Sequence, residues 1–321
     1  RAHRRRATLE HVTLSLSVII PAYNEAERLA VGYERLAPTL ASMDPSTVEV
    51  IVIDDGSSDD TLKRAHEVYG HLEHARFVQQ PANFGKGAAL RLGIALAQGT
   101  NVITADADMA IDPRQFPDFV AALADSALVP GSRALSGNIV YDARLRTFAG
   151  AAFNRLVRHY TGTALRDTQC GCKGFQLGPA RLLALLTMID GFAFDVEMLF
   201  LADRLGLSVQ PLLVTWQDVG GSSVRPGHDA WSMLQDIRGL QKTHYENPVV
   251  ELPATVSVSD VAPLAKDARL HGLVIARNDR DALLVLGRDG ALGGLTLASA
   301  LGGTLRTARL DELNQRRYEA V

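Results

Sequence analysis

Cysteine is almost absent from this chain: two in 321 residues, Cys170 and Cys172, both in a single C-x-C. That excludes a disulfide scaffold. With no second pair, the C-x-C is also too poor in ligands for a structural zinc site. Reduced thiols in the cytoplasm are the expectation. Long apolar runs are missing as well, since none reaches the ~18 residues of a membrane span. The nearest attempt, residues 182–197, is interrupted by Asp190, Gly191, Asp195 and Glu197. The start R-A-H-R-R-R has the charge of a signal peptide, but no apolar core follows it. An excess of positive charge is lacking too: the net charge of -3 argues against a general nucleic-acid binder. No G-x-G-x-x-G follows the first apolar run, which disfavours a nicotinamide cofactor. Gly85-Lys86-Gly87 lacks the G-x-x-x-x-G-K-[ST] spacing of a P-loop ATPase.

What is present is an ordinary globular composition, 47% hydrophobic and 21% charged, long enough for one large domain or two. Strands and helices alternate. Residues 16–23 read as a buried parallel strand. A helix follows, with Asn24 as its N-cap and Glu25 and Glu27 in the first turn. The strand V-E-V-I-V-I-D-D ends in Asp54 and Asp55, and Ser57 and Asp60 then have the spacing of a capping box. A third strand, A-R-F-V-Q-Q, leads to a helix over 83–99 closed by Gly99. A fourth, N-V-I-T-A-D-A-D, runs into D-P-R-Q-F-P, which reads as a helix start. This alternation predicts an α/β fold with a doubly wound, mostly parallel sheet, whose ligands bind beyond the carboxyl ends of the strands. The polar residues fall there each time: Tyr23, Asn24 and Glu25; Asp54 and Asp55; Asn83, Gly85 and Lys86; Asp106 and Asp108.

The last pair matters most. Two carboxylates two residues apart leave an extended or gently turning segment in the same direction. They make a hard oxygen site suited to Mg²⁺ or Mn²⁺, which keep waters and take substrate phosphates as further ligands. The alternative is a capping Asp106 beside a solvated Asp108.

Four motifs in order, P-A-Y-N-E, V-I-D-D-G-S-S-D-D-T, N-F-G-K-G-A-A-L and A-D-A-D, resemble the N-terminal halves of family 2 glycosyltransferases. G-S-R at 131–133, D-T-Q-C-G-C-K-G-F at 167–175, F-A-F-D-V-E at 192–197 and V-T-W-Q-D-V-G-G-S at 214–222 narrow the likeness. They look like the polyprenyl-phosphate branch, closest to the dolichyl-phosphate β-glucosyltransferases. The resemblance covers residues 14–245. It departs at Cys172 and Gly174, where an aromatic and a bulky apolar residue would be expected. The Q-x-x-R-W signature of processive synthases is absent, which argues for single-sugar transfer.

The resemblance implies a GT-A, Rossmann-like domain over 14–247 and an inverting transfer. The donor would be a nucleoside diphosphate sugar, UDP-glucose before GDP-mannose, and the acceptor a polyprenyl monophosphate. Pro21, Tyr23, Asn24, Glu25, Asp54, Asp55, Lys86 and Asp106 would hold the donor. Asp106 and Asp108 would bind the metal, and Arg133, Arg144, Arg146 and Asp195 would join them in catalysis. Transfer to a soluble phosphorylated acceptor and a non-catalytic nucleotide-sugar-binding module are the rivals.

Between Gly131 and Arg166 there are six arginines and one acid, Asp142, with apolar residues at helical spacing among them. Such a segment, 142–160, reads either as a surface helix packed on the core or as an interfacial element on a membrane. With a lipid acceptor the second is preferred, placing the protein on the inner face of the cell membrane. Around the main domain, residues 1–13 form a basic tail and 248–268 a linker. Residues 269–321, with no Phe or Trp and nine acids balancing nine Lys and Arg across 249–321, form a β-rich appendage for docking or dimerisation.

Overall fold

The computed structural model describes residues 14–133, 155–163, 165, 167–204, 206–217 and 228–240, and four short strands between 249 and 291. Seven strands form the main sheet: β1 Leu16–Ala22, β2 Val48–Asp54, β3 Ala75–Gln79, β4 Asn101–Thr104, β5 Leu128–Ser132, β6 Lys173–Gln176 and β7 Leu212–Leu213. Their order is β3-β2-β1-β4-β6-β5-β7. The first four pair in parallel, while β6 is antiparallel to both β4 and β5. This is the expected mostly parallel α/β sheet.

Successive β1 residues point to opposite faces, as the strand period requires. Val18 and Ile20 join the core under helices α1 (Ala26–Ser42), α2 (Thr61–Tyr69) and α4 (Phe116–Ala122). Ile19 joins the core under α3 (Lys86–Leu96), α5 (Leu177–Leu186) and α6 (Phe194–Arg204). With β1 and β2 buried on both faces, their near-continuous apolar runs have a physical cause.

Several local expectations are corrected. Asn24 does not cap α1. It sits in the left-handed region at φ 53, its N–H donating to Ser57 Oγ and its Oδ1 accepting from the Ser58 N–H, so its side chain ties the β1 loop to the β2 loop. The Ser57–Asp60 capping box does not form; Asp59 Oδ1 accepts the Thr61 N–H instead. Gly99 lies beyond the end of α3 and donates its N–H to Ser17 Oγ. The segment expected as a linker begins with a strand, β8 Val249–Leu252. β8 runs parallel to β9 (Leu273–Arg277), which pairs antiparallel with β10 (Leu283–Gly287); β11 (Gly290–Ala291) completes this second sheet.

One of the two departures from the expected pattern, Gly174, has a packing explanation. A Cβ on Gly174 would meet Phe119 Cδ1 at 3.1 Å and Leu123 Cδ1 at 3.3 Å, so α4 already fills the space of a larger residue there. Cys172 is buried in the core on that face of the sheet.

Candidate active site

The carboxyl ends of β1, β2 and β4 converge, and the side chains there fall into two sets. The first builds loops. Asp54 accepts the Ser57 N–H at 3.0 Å and the Gln79 Nε2–H at 2.8 Å. Asp55 Oδ1 accepts the Phe84 N–H at 2.8 Å and the Gln80 amide at 2.7 Å, and its Oδ2 accepts the Gly85 N–H at 2.8 Å. Burial pushes the Asp55 carboxyl up, and the two backbone donors pull against it. Gly85 needs its φ of 104, and a Cβ there would strike the Asp190 carbonyl oxygen at 2.4 Å. Pro21 is half-buried on β1, and Tyr23 stands exposed at the same strand end.

The second set is a chain of alternating charge. Asp106 Oδ1 accepts from Lys86 Nζ at 2.8 Å; the same ammonium lies 3.8 Å from Asp195 Oδ2. Asp195 Oδ1 accepts from Lys173 Nζ at 2.6 Å, and Lys173 also donates to the Cys170 carbonyl at 2.5 Å. Burial by itself would lower the Lys86 pKa, but Asp106 and Asp195 outweigh it and hold the ammonium charged. Burial likewise favours neutral Asp106, and Lys86 reverses that. The Asp106 side chain remains 43% exposed, so it faces outward from this chain of ion pairs. Its carboxylate rests on Gly171, where a Cβ would meet Oδ2 at 2.2 Å.

Asp106 and Asp108 do not point the same way. β4 ends at Thr104, and Met109 takes φ 49, so the segment turns rather than continuing extended. Asp106 goes to Lys86 of α3, whereas Asp108 goes to Arg28 of α1, on the opposite face of the sheet. Asp108 is only 3% exposed, and its Oδ1 accepts the Ala110 N–H at 3.0 Å. Arg28 also grips Glu25, NH1 to Oε1 at 2.7 Å. Burial pushes Glu25 up, with Arg28 opposing.

Arg133 faces Asp167 bidentately, Nε at 2.7 Å and NH2 at 2.9 Å, with its own backbone N–H adding a third bond at 3.0 Å. Arg144 and Arg146 lie outside the described residues, as does most of 142–160. Within the helix over 155–161, Val157 is buried and Arg155, Arg158 and His159 are exposed.

Arg28 was not singled out by sequence reasoning, and Asp167, Gly171 and Lys173 entered it only inside the D-T-Q-C-G-C-K-G-F motif. Lys173 carried one signal, a lysine inside a strand that is otherwise fit for burial.

The residues present suit a hard divalent cation in part. Asp106 offers an exposed carboxylate whose Oδ2 accepts no hydrogen bond among the described residues, while both oxygens of Asp108 are engaged. Among the described residues no three His, Cys, Asp or Glu side chains cluster as a protein-only metal cage.

The sequence model for glycosyl transferase family 2 matches residues 17–181. The dolichyl-phosphate β-glucosyltransferase of Drosophila melanogaster is 37% identical over 246 residues, covering 71% of this chain and 74% of that protein. The human dolichyl-phosphate β-glucosyltransferase is 35% identical over 242 residues, 70% and 72% of the two chains. Among solved structures, glucosyl-3-phosphoglycerate synthase from Mycobacterium tuberculosis in complex with UDP superposes with a TM-score of 0.53 at 23% identity, covering 74% of this chain and 87% of that one. The same enzyme with Mn²⁺, UDP and glucosyl-3-phosphoglycerate gives 0.52 at 22%, covering 75% and 85%. At that identity the likeness is one of fold.

Proposed function

This chain belongs to the family 2 glycosyltransferases, and from that premise we propose that it moves one hexose, with inversion, from UDP-glucose to the phosphate of a polyprenyl monophosphate. The observation that carries the reading is the exposed Asp106 carboxylate, backed by Lys86 and Asp195, at the carboxyl end of a parallel sheet. Ligands of open α/β sheets bind there. The names of the relatives at 35–37% identity support the donor sugar and the lipid acceptor.

Asp106 would hold Mg²⁺ or Mn²⁺, and Asp108 would join it only on leaving Arg28. Held there, such an ion would supply positive charge to stabilise the departing nucleotide. The M. tuberculosis enzyme that shares the fold was solved with Mn²⁺ and UDP, which supports this cofactor class. Lys86, whose ammonium lies beside Asp106, would meet the donor diphosphate. Asn24 and the loops built by Asp54 and Asp55 would shape the floor under base and ribose.

A phosphate monoester has a second pKa of about 6, so at neutral pH the acceptor is a dianion. One of its oxygens attacks the anomeric carbon as the bond to the nucleoside diphosphate oxygen breaks, and UDP leaves with that electron pair. Positioning and charge neutralisation then matter more than a strong base. Arg133, whose guanidinium plane is set by Asp167, suits the acceptor phosphate. Arg144 and Arg146 are proposed beside it. No helix among the described residues is long and apolar enough to cross a membrane. For contact with the bilayer we propose segment 142–160, on the inner face, because its sequence sets arginines among apolar residues at helical spacing.

The deciding experiment gives purified protein UDP-[¹⁴C]glucose, Mn²⁺ and a polyprenyl monophosphate, then partitions the products into organic solvent. Label in the organic phase, lost on mild acid, supports the proposal. Label that leaves UDP-glucose but stays aqueous with a phosphorylated small molecule would point to a soluble acceptor. No turnover with any nucleotide sugar would reduce the chain to a binding module.

A further inference from the structure

Lys173 is among the largest fully buried side chains of this protein, 1% exposed, and its ammonium lies 2.6 Å from an equally enclosed carboxylate, Asp195. A buried ion pair is weak evidence for stability, because apolar residues of similar volume often do as well or better. The pair is better explained by its surroundings. Lys173 opens β6 and pairs in register with Thr104 at the end of β4, two residues before Asp106. Its ammonium is further fixed by the Cys170 carbonyl, on the loop whose Gly171 cradles Asp106. Asp195 lies in the first turn of α6, where the helix dipole favours a carboxylate. Its second oxygen faces Lys86 at 3.8 Å, too long for a hydrogen bond but close enough to hold a charge in place.

We propose that Lys173 and Asp195 are positioning residues: Lys173 pins the Asp195 carboxylate, which stations the Lys86 ammonium beneath Asp106 where the donor diphosphate is received. Neither residue needs to touch substrate. Lys86 sits at the first position of α3 on a four-methylene stem and has no other carboxylate ion-pair partner among the described residues. When Asp106 turns to a cation, Asp195 is the anchor that remains. The role of Lys86 toward the diphosphate rests on the function proposed above; the Lys173–Asp195–Lys86 coupling does not.

The test compares wild type with Asp195→Asn, Lys173→Met and the double variant. Three quantities are read: the order of the Lys86 ammonium from its ¹⁵N–¹H NMR signal, the melting temperature, and the affinity for UDP with Mn²⁺. Each single variant leaves a buried charge uncompensated and should melt lower, whereas the double variant removes both charges and should regain much of the loss. Positioning predicts that, with Asp106 replaced by Ala so that Asp195 is the remaining carboxylate partner of Lys86, the ammonium is disordered in Asp195→Asn and in the double variant; with Asp106 intact, UDP binding is about tenfold weaker in both. A double variant whose Lys86 is, in that Asp106→Ala background, as ordered as in wild type would show that the pair only supports folding and would overturn the proposal. If wild type binds no UDP, the donor assignment fails, and the ammonium signal still decides the coupling.

Discussion

Arg28 on α1 and Asp108 after β4 are joined across 80 residues by a direct ion pair, and the same guanidinium holds Glu25. One cation thus serves two carboxylates that are 3% and 8% exposed. Asp108 is turned into the protein in this structure, and any part it takes in metal binding begins by exchanging Arg28 for the ion.

Arg28→Ala should therefore be destabilising, by about 3 kcal/mol, because it strands two buried carboxylates. Urea unfolding of the purified variant measures this directly. A midpoint equal to wild type would mean that both carboxylates reach water when Arg28 is gone.

Asp106→Asn should abolish transfer and lower the melting temperature by only a few degrees (about 2–6 °C), since the Lys86 ammonium, 19% exposed, keeps Asp195 as a charged partner and the amide still offers it an oxygen. Excess EDTA should silence wild type in the same assay, with recovery on adding Mn²⁺. Transfer that persists in EDTA speaks against an ion at Asp106.

Gly171→Ala tests the cradle without changing any charge. Its Cβ would fall 2.2 Å from Asp106 Oδ2, so the carboxylate must move. We expect transfer to fall at least tenfold, on the order of 1.4 kcal/mol in the barrier, with a smaller effect on UDP affinity. Unchanged kinetics would mean that Asp106 works from another rotamer.

Asp55→Ala removes the acceptor of three bonds, two of them from the backbone of residues 84 and 85. It should raise KM for the donor more than it lowers kcat, as lost uniform binding does. It should also destabilise by about 1 kcal/mol, because half-buried donors of the 80–85 loop lose their acceptor. KM, kcat and melting temperature measured together separate the two effects; a lowered melting temperature with KM intact would confine Asp55 to folding.

The Arg133–Asp167 pair makes a pH prediction. Burial pushes the Asp167 carboxyl up, but hydrogen bonds and charge from Arg133 outweigh it and hold the pKa below the ordinary carboxylate range. A carboxyl depressed in the folded state adds stability that is present above its unfolded pKa of about 3.9 and is lost as pH falls through the folded value. The stability gap between wild type and Asp167→Asn should be constant from pH 7 to about 5 and shrink below about 4. A gap that closes already at pH 6 would show that Arg133 does not set this carboxyl.

The alternation of strands and helices, the burial of β1 and β2 on both faces, and the return of polar residues to the carboxyl ends were all legible in the chain, because period and punctuation are local properties. The ordered motifs carried the family as well. Pairing of side chains was not legible. Asp106 and Asp108 part company because the backbone turns after Thr104 and Met109 enters the left-handed region, and nothing in A-D-A-D-M-A announces that turn. Lys173 meets Asp195 because β6 inserts antiparallel between β4 and β5 and brings a strand lysine under the first turn of α6. Arg28 finds Asp108 because α1 packs over the end of β4. Residue type and spacing determine which charges gather at the sheet's edge, but which charge faces which depends on strand register and helix placement, and these exist only once the chain has folded.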